Sequence, residues 1–149
     1  MLWSDFNESG DLPIGIHQAK IEDVIAHFGH GTAQRVAVTE RLKRIYELAL
    51  SSGQLQRFII FGSYITAEPT LQDVDIFLVM GGGFQPSDAP PEAQPIFRHS
   101  TSQSEFGASI FWVNAGTSFA DMEDLIIGWQ TRRDLKRRGI VEVIKGDSQ

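Results

Sequence analysis

Cysteine is absent from the 149-residue chain. That excludes a disulfide framework and any thiolate metal site, and it suits a reducing cytoplasm, where the protein is expected to work. Long apolar runs are absent too. No stretch approaches the roughly 18 residues that a membrane-spanning helix needs, so no membrane association is expected. The opening, MLWSDFNESGDLP, has acids and no apolar block, so it does not read as a secretory signal. Positive charge is scarce: 13 Lys and Arg stand against 19 Asp and Glu, a net charge of −6. A chain of that balance is not expected to bind DNA strongly without specificity. The scarcity is uneven. Residues 132–149 hold six Lys or Arg and three acids, with most of the cations in RRDLKRR, 132–138. That patch reads first as charge complementing the C-terminal end of a helix, and second as a contact to phosphate.

What is present suffices for one core. Apolar residues make up 42% of the chain, ordinary for a single globular domain of this length. Residues 1–31 read as an N-terminal arm and a short helix, and 32–149 as the main domain, within one compact unit. DLPIGIH (11–17) is extended, broken by Pro13 and Gly15. AKIEDVIAHFG (19–29) predicts a short helix stopped by Gly29, which makes His27 and His30 parts of a helix end rather than a metal site. In TAQRVAVTERLKRIYELALSSG (32–53), Val38, Leu42, Ile45 and Ala49 recur at spacings of four and three, one apolar stripe on a long helix. RFIIF (57–61), VDIFLVM (74–80), ASIFWV (108–113) and IVEVI (140–144) predict four strands. GGGFQPSDAPPEAQP (81–95), with three glycines and four prolines, predicts a mobile loop at the rim of a cleft. SFADMEDLIIGWQ (118–130) predicts a helix capped by Ser118, with Asp121 near its positive end and Phe119, Met122, Ile126 and Trp129 on one face. The expected fold is α/β (α+β), a mixed sheet of about four strands packed with helices.

One stretch carries chemistry. In FIIFGSYITAEPTLQDVDIFLVM (58–80), two aspartates stand one residue apart on a strand that otherwise reads as buried. A charge taken out of water is costly unless something pairs with it. Side chains alternate across a strand, so Asp73 and Asp75 share a face. They are read as facing a cation rather than as solvated acids, because a glycine turn and a hydroxyl, Gly62 and Ser63, precede them. Such a turn lets backbone N–H groups point at phosphate. A hard cation such as Mg²⁺ takes oxygen ligands and bridges a few carboxylates to substrate phosphates. Tyr64 and Thr66 follow on the turn and are read as packing residues.

Phe61-Gly62-Ser63, nine residues, then Asp73-Val74-Asp75-Ile76 resembles the signature of the DNA polymerase β-like nucleotidyltransferase superfamily. The resemblance covers roughly residues 32–115. LPIGIH, GSYITAEP and GIVEV further resemble a small bacterial family placed in that superfamily. The resemblance implies transfer of a nucleoside monophosphate from an NTP to a hydroxyl or phosphate of a protein, RNA or small molecule. It implies Mg²⁺ held by Asp73 and Asp75, and triphosphate held by Gly62 and Ser63. It also implies membership of a toxin–antitoxin or defence pair with a cognate protein partner.

The chain departs from that pattern at the third carboxylate, which the superfamily places on a later strand between two apolar residues. Ser109, between Ala108 and Ile110, stands in that position. Glu142 in IVEVI has matching flanks on another strand, and Glu105 lies four residues before Ser109, about 13 Å along a strand. A serine supplies neither a carboxylate ligand nor a base near pH 7. Three readings therefore stand: a minimal nucleotidyltransferase, a catalytically silent module of the same fold that binds a nucleotide or a partner, and a plain structural partner in a two-protein system.

Overall fold

The computed structural model describes residues 3–145, leaving out 4, 9, 70, 72, 117, 118 and 132–136, together with the side chains of 99, 100, 104, 105, 119–121 and 123. The chain runs β1 (Ile16–Lys20), α1 (Ile21–Phe28), α2 (Ala33–Ser51), β2 (Leu55–Phe61), β3 (Val74–Met80), α3 (His99–Phe106), β4 (Ala108–Asn114), α4 (Phe119–Trp129) and β5 (Ile140–Ile144). The five strands form one mixed sheet in the order β1-β5-β2-β3-β4. The outer pairs, β1 with β5 and β3 with β4, are parallel, and β2 is antiparallel to both its neighbours.

The α+β class is as expected, but there are five strands, not about four. The added strand is β1, formed by residues read as the end of an extended arm and the start of a helix. Its partner lies more than 100 residues away, so no local pattern announces it. Leu12, Ala19, Val24 and Phe28 join the same buried cluster as Ile60, Ile76 and Leu42.

α2 forms where its stripe predicts. Thr32 caps it by accepting from the Arg35 N–H at 3.1 Å, and Val38, Leu42, Ile45 and Ala49 are buried. Tyr46 of α2 meets Phe58 of β2 edge-on, with ring centroids 5.0 Å apart. Register assigns the two sheet faces. Phe58, Ile60, Ile76, Leu78, Ala108 and Ile110 lie on the face toward α2. Arg57, Ile59, Phe61, Asp75, Phe77, Ser109, Phe111 and Glu142 lie on the other. α4 covers part of that second face through Trp129, which stacks on Phe61 at 4.3 Å and touches Phe77 and Phe111. Its Met122 and Ile126 pack against the core as their spacing predicts. The expected cap at Ser118 and the roles given to Asp121 and Phe119 lie outside the described residues and side chains.

Residues 81–95 are not a mobile rim. They contain a short 3₁₀ turn at Pro86–Asp88 and lead into another at Gln94–Phe97. Phe84, Ala89 and Ala93 are buried. Phe84 and Phe97 pack on Trp112, whose indole N–H donates to the Phe97 carbonyl at 2.9 Å. Together with α3, not expected from the sequence, the segment is the crossover that two parallel strands require. It leaves β3 at Met80, about 17 Å along the strand from Asp75, and so begins at the far end of the sheet from the aspartates.

Candidate functional site

β2 ends at Phe61, and Gly62 turns the chain with φ +82° and ψ −159°. Side chains are almost never tolerated in that conformation. There is a second reason for glycine. A Cβ at this position would collide with Oδ2 of Asp75 and stand 3.1 Å from its Cγ. The carboxylate therefore rests on the bare Cα of the turn. The ladder explains the meeting, because Asp75 is the register partner of Phe61, the residue just before Gly62. Asp75 and Asp73 are both half-buried; Asp73 stands immediately before β3, at the two-residue spacing that alternation puts on one face.

On its other side Asp75 pairs in parallel register with Ser109. The position expected for a third carboxylate is thus beside the second one, and it holds a hydroxyl. Ser109 Oγ lies 3.2 Å from Gln103 Nε2, which donates to it. Among the described residues, no group of three or more His, Asp or Glu side chains gathers in a way that would hold a metal ion. The Glu105 side chain lies outside the described ones.

Glu142 is not brought to this place. It is the partner of Ile59, which in turn is the partner of Phe77, so it lies two strands from β3, about 10 Å across the sheet. Its carboxylate is gripped by Arg57, with Nε to Oε2 and Nη2 to Oε1 both at 2.9 Å. These bonds hold its pKa below the usual glutamate value against the opposing effect of burial, and they raise that of Arg57. The consequence for stability has a definite sign. A carboxyl whose pKa is depressed by folding contributes fully above the ordinary glutamate range and loses that contribution as pH falls through its lowered value. Glu142→Gln should cost about 1–2 kcal/mol near pH 7, because a two-pronged charged bond is replaced by a neutral one. Urea unfolding of parent and variant from pH 7 to pH 3 should show the gap closing toward the acid end. A gap that is constant with pH would show that Arg57 does not act through the carboxylate.

Ser63 begins a 3₁₀ turn, Ser63–Ile65, and its carbonyl accepts from the N–H and the hydroxyl of Thr66 at 3.2 and 2.7 Å. Its side of the turn opens on a cleft of about 360 Å³, walled also by Glu8, Asp11, Thr66, Glu68 and Arg138. Asp11 bridges to Arg138 at 3.4 Å, so one cation of the basic stretch lines the same cleft as Ser63 while paired to the N-terminal arm. The rest of that patch from 132 to 136 lies outside the described residues. Tyr64 and Thr66 pack, as expected. Tyr64 is fully buried, with its hydroxyl 2.7 Å from Thr39 Oγ1, and burial pushes its pKa up. His27 belongs to a helix end, stacked on Trp3 at 4.9 Å.

Sequence reasoning passed over Arg35. It lies three residues before Val38 on the buried stripe of α2 and is 6% exposed. Its Nη1 donates to the carbonyls of Phe28 (3.2 Å) and Tyr64 (2.8 Å), and its Nη2 to those of Thr66 (2.7 Å) and Glu68 (2.6 Å). A charge in register with an apolar stripe was the available signal.

Residues 4–144 match the model of a family of unknown function, DUF6932, and the chain belongs to that family. No curated protein and no solved structure matches it.

Proposed function

We propose that the protein is a minimal nucleotidyltransferase, moving an NMP from an NTP to a hydroxyl or phosphate of a protein, RNA or small molecule. The observation that carries this reading is the seating of the Asp75 carboxylate on the Gly62 turn. It joins the glycine turn to one carboxylate of an acidic pair whose members are both half-buried. The donor set suits Mg²⁺, which is commonly held by one or two carboxylates and completed by water and substrate phosphates. Asp73 and Asp75 would hold it, and when bound it neutralises charge on the triphosphate. Ser63 would donate to a phosphate oxygen. The acceptor oxygen attacks the α-phosphorus, a hydroxyl acceptor giving up its proton to solvent water, the bond to the bridging oxygen breaks, and pyrophosphate leaves with that electron pair. Phe61, Phe111 and Trp129 form an aromatic group on the sheet face that carries Asp75. Membership of a toxin–antitoxin or defence pair, with a cognate protein partner, is part of the same proposal.

A second reading rests on Ser109. With a hydroxyl beside Asp75, the described residues offer no third carboxylate there to act as base, and loss of a base commonly removes a factor of roughly 10²–10⁴ in rate. A silent module would bind nucleotide without transferring it. Melting curves with Mg²⁺ and ATP separate both readings from a protein with no such site. At ATP near 100 times Kd the expected gain is about 2.7 kcal/mol, or roughly 5–11 °C. The shift should vanish in Asp73→Asn and Asp75→Asn, and incorporation of labelled NMP then divides enzyme from silent module. A shift that survives both substitutions would remove the acidic pair from the site.

A further inference from the structure

We propose that Arg35 is a positioning residue for the phosphate-binding turn. This inference rests on the nucleotidyltransferase reading and goes beyond it, since the signature that suggested that reading contains no residue of α2. Its observation is independent of the aspartates. Four bonds between 2.6 and 3.2 Å run from one buried guanidinium to main-chain carbonyls, three of them on alternate residues, Tyr64, Thr66 and Glu68, directly after Ser63. The fourth acceptor, Phe28, closes α1, so the turn is tied to a helix end rather than left to the loop.

Such a grip is specific to arginine. A planar fork reaches several acceptors at fixed angles, whereas an ammonium is a single point with three donors. The group is stacked as well, with Cζ 5.7 Å from the Tyr64 ring centroid. Burial works against its charge and lowers its pKa, so the residue is not there for cheap stability. An apolar residue at the same stripe position would pack without that cost, but it would leave the buried carbonyls of Tyr64 and Thr66 without these donors. Fixing those carbonyls fixes the main chain that leads out of the turn, and with it the place of the turn on which Ser63 stands. A turn that must meet a phosphate to within a fraction of an ångström gains from such anchoring. Arg35 touches no reacting atom in this account; it acts through the turn.

The test compares Arg35→Lys, Arg35→Met and Val38→Ala, the last a core truncation one turn further along the same helix. Three quantities are read in each: melting temperature, Kd for Mn²⁺ alone, and Kd for ATP with Mg²⁺. All three variants should melt lower. Mn²⁺ should bind within about twofold of parent throughout, because the acidic pair does not depend on Arg35. ATP should bind Arg35→Lys and Arg35→Met at least about tenfold more weakly, and Val38→Ala within about twofold of parent. Unchanged ATP affinity in the Arg35 variants, or an equal loss in Val38→Ala, overturns the positioning role and leaves the nucleotidyltransferase reading standing. A parent that binds no ATP overturns both. If neither Arg35 variant folds, amide exchange in the parent decides. Residues 64–68 should be protected to nearly the level of β2, and exchange there at open-loop rates overturns the proposal.

Discussion

Replacing Gly62 by alanine should lower the melting temperature by roughly 6–12 °C, which for a chain of this size corresponds to about 3 kcal/mol. Two costs combine. The backbone at φ +82°, ψ −159° lies in a region closed to side chains, worth about 1–3 kcal/mol by itself. The new methyl also falls on Oδ2 of Asp75. Either the turn shifts or the carboxylate swings away, and both separate the two halves of the proposed site. The variant should therefore lose the Mg²⁺- and ATP-dependent melting shift along with its stability. Calorimetry of the apo protein and of the protein with Mg²⁺ and ATP reads both effects. A variant that melts within a degree or two of the parent would show that the close approach of turn and carboxylate is not a constraint.

Ser109→Asp carries the second large effect, and it divides the two functional readings. Ser109 and Asp75 are register neighbours on parallel strands, so a new carboxylate stands beside an existing one. Like charges about 5 Å apart repel by about 3 kcal/mol at an effective dielectric near 20. The apo variant should melt roughly 6–12 °C below the parent. Mg²⁺ should reverse most of that loss, since a ligand that binds only the folded state stabilises it by mass action. If the parent is a silent module, NMP transfer should appear in the variant alone. If the parent already transfers NMP and the variant is no better, the proton is removed by a group other than the residue at 109. Glu142 is a poor candidate for that role, because Arg57 holds it two strands away.

Much of the fold was legible wherever the determining contacts were local. The stripe Val38, Leu42, Ile45, Ala49 is one face of α2, and four of the five strands lie where short β-branched and aromatic runs stand between turn residues. β1 escaped notice because its pairing is with β5, at the other end of the chain, and Ile16–Lys20 has no periodicity of its own. The segment 81–95 departs from its expected mobile form for a related reason. Glycine and proline do exclude a long helix or strand there, but they do not exclude packing: Phe84, Ala89 and Ala93 are buried, Phe84 against Trp112 and Phe97.

At the candidate site, the residue types and spacings were set by the sequence alone: a glycine turn after one strand, a hydroxyl next to it, two aspartates entering the next strand, and no carboxylate at position 109. Those are properties of order along the chain. Which side chains meet was decided only in three dimensions. Ladder register put Asp75 on the Cα of Gly62 and beside Ser109, and it carried Glu142 away to Arg57. Burial turned Arg35, on its face one more surface cation of a helix, into the donor that grips three alternate carbonyls behind Ser63. The physical reason is common to all of these. A carboxylate or guanidinium has no preferred neighbour along an extended chain in water, and acquires one only when folding removes the water and sheet register and helix packing fix what remains within reach.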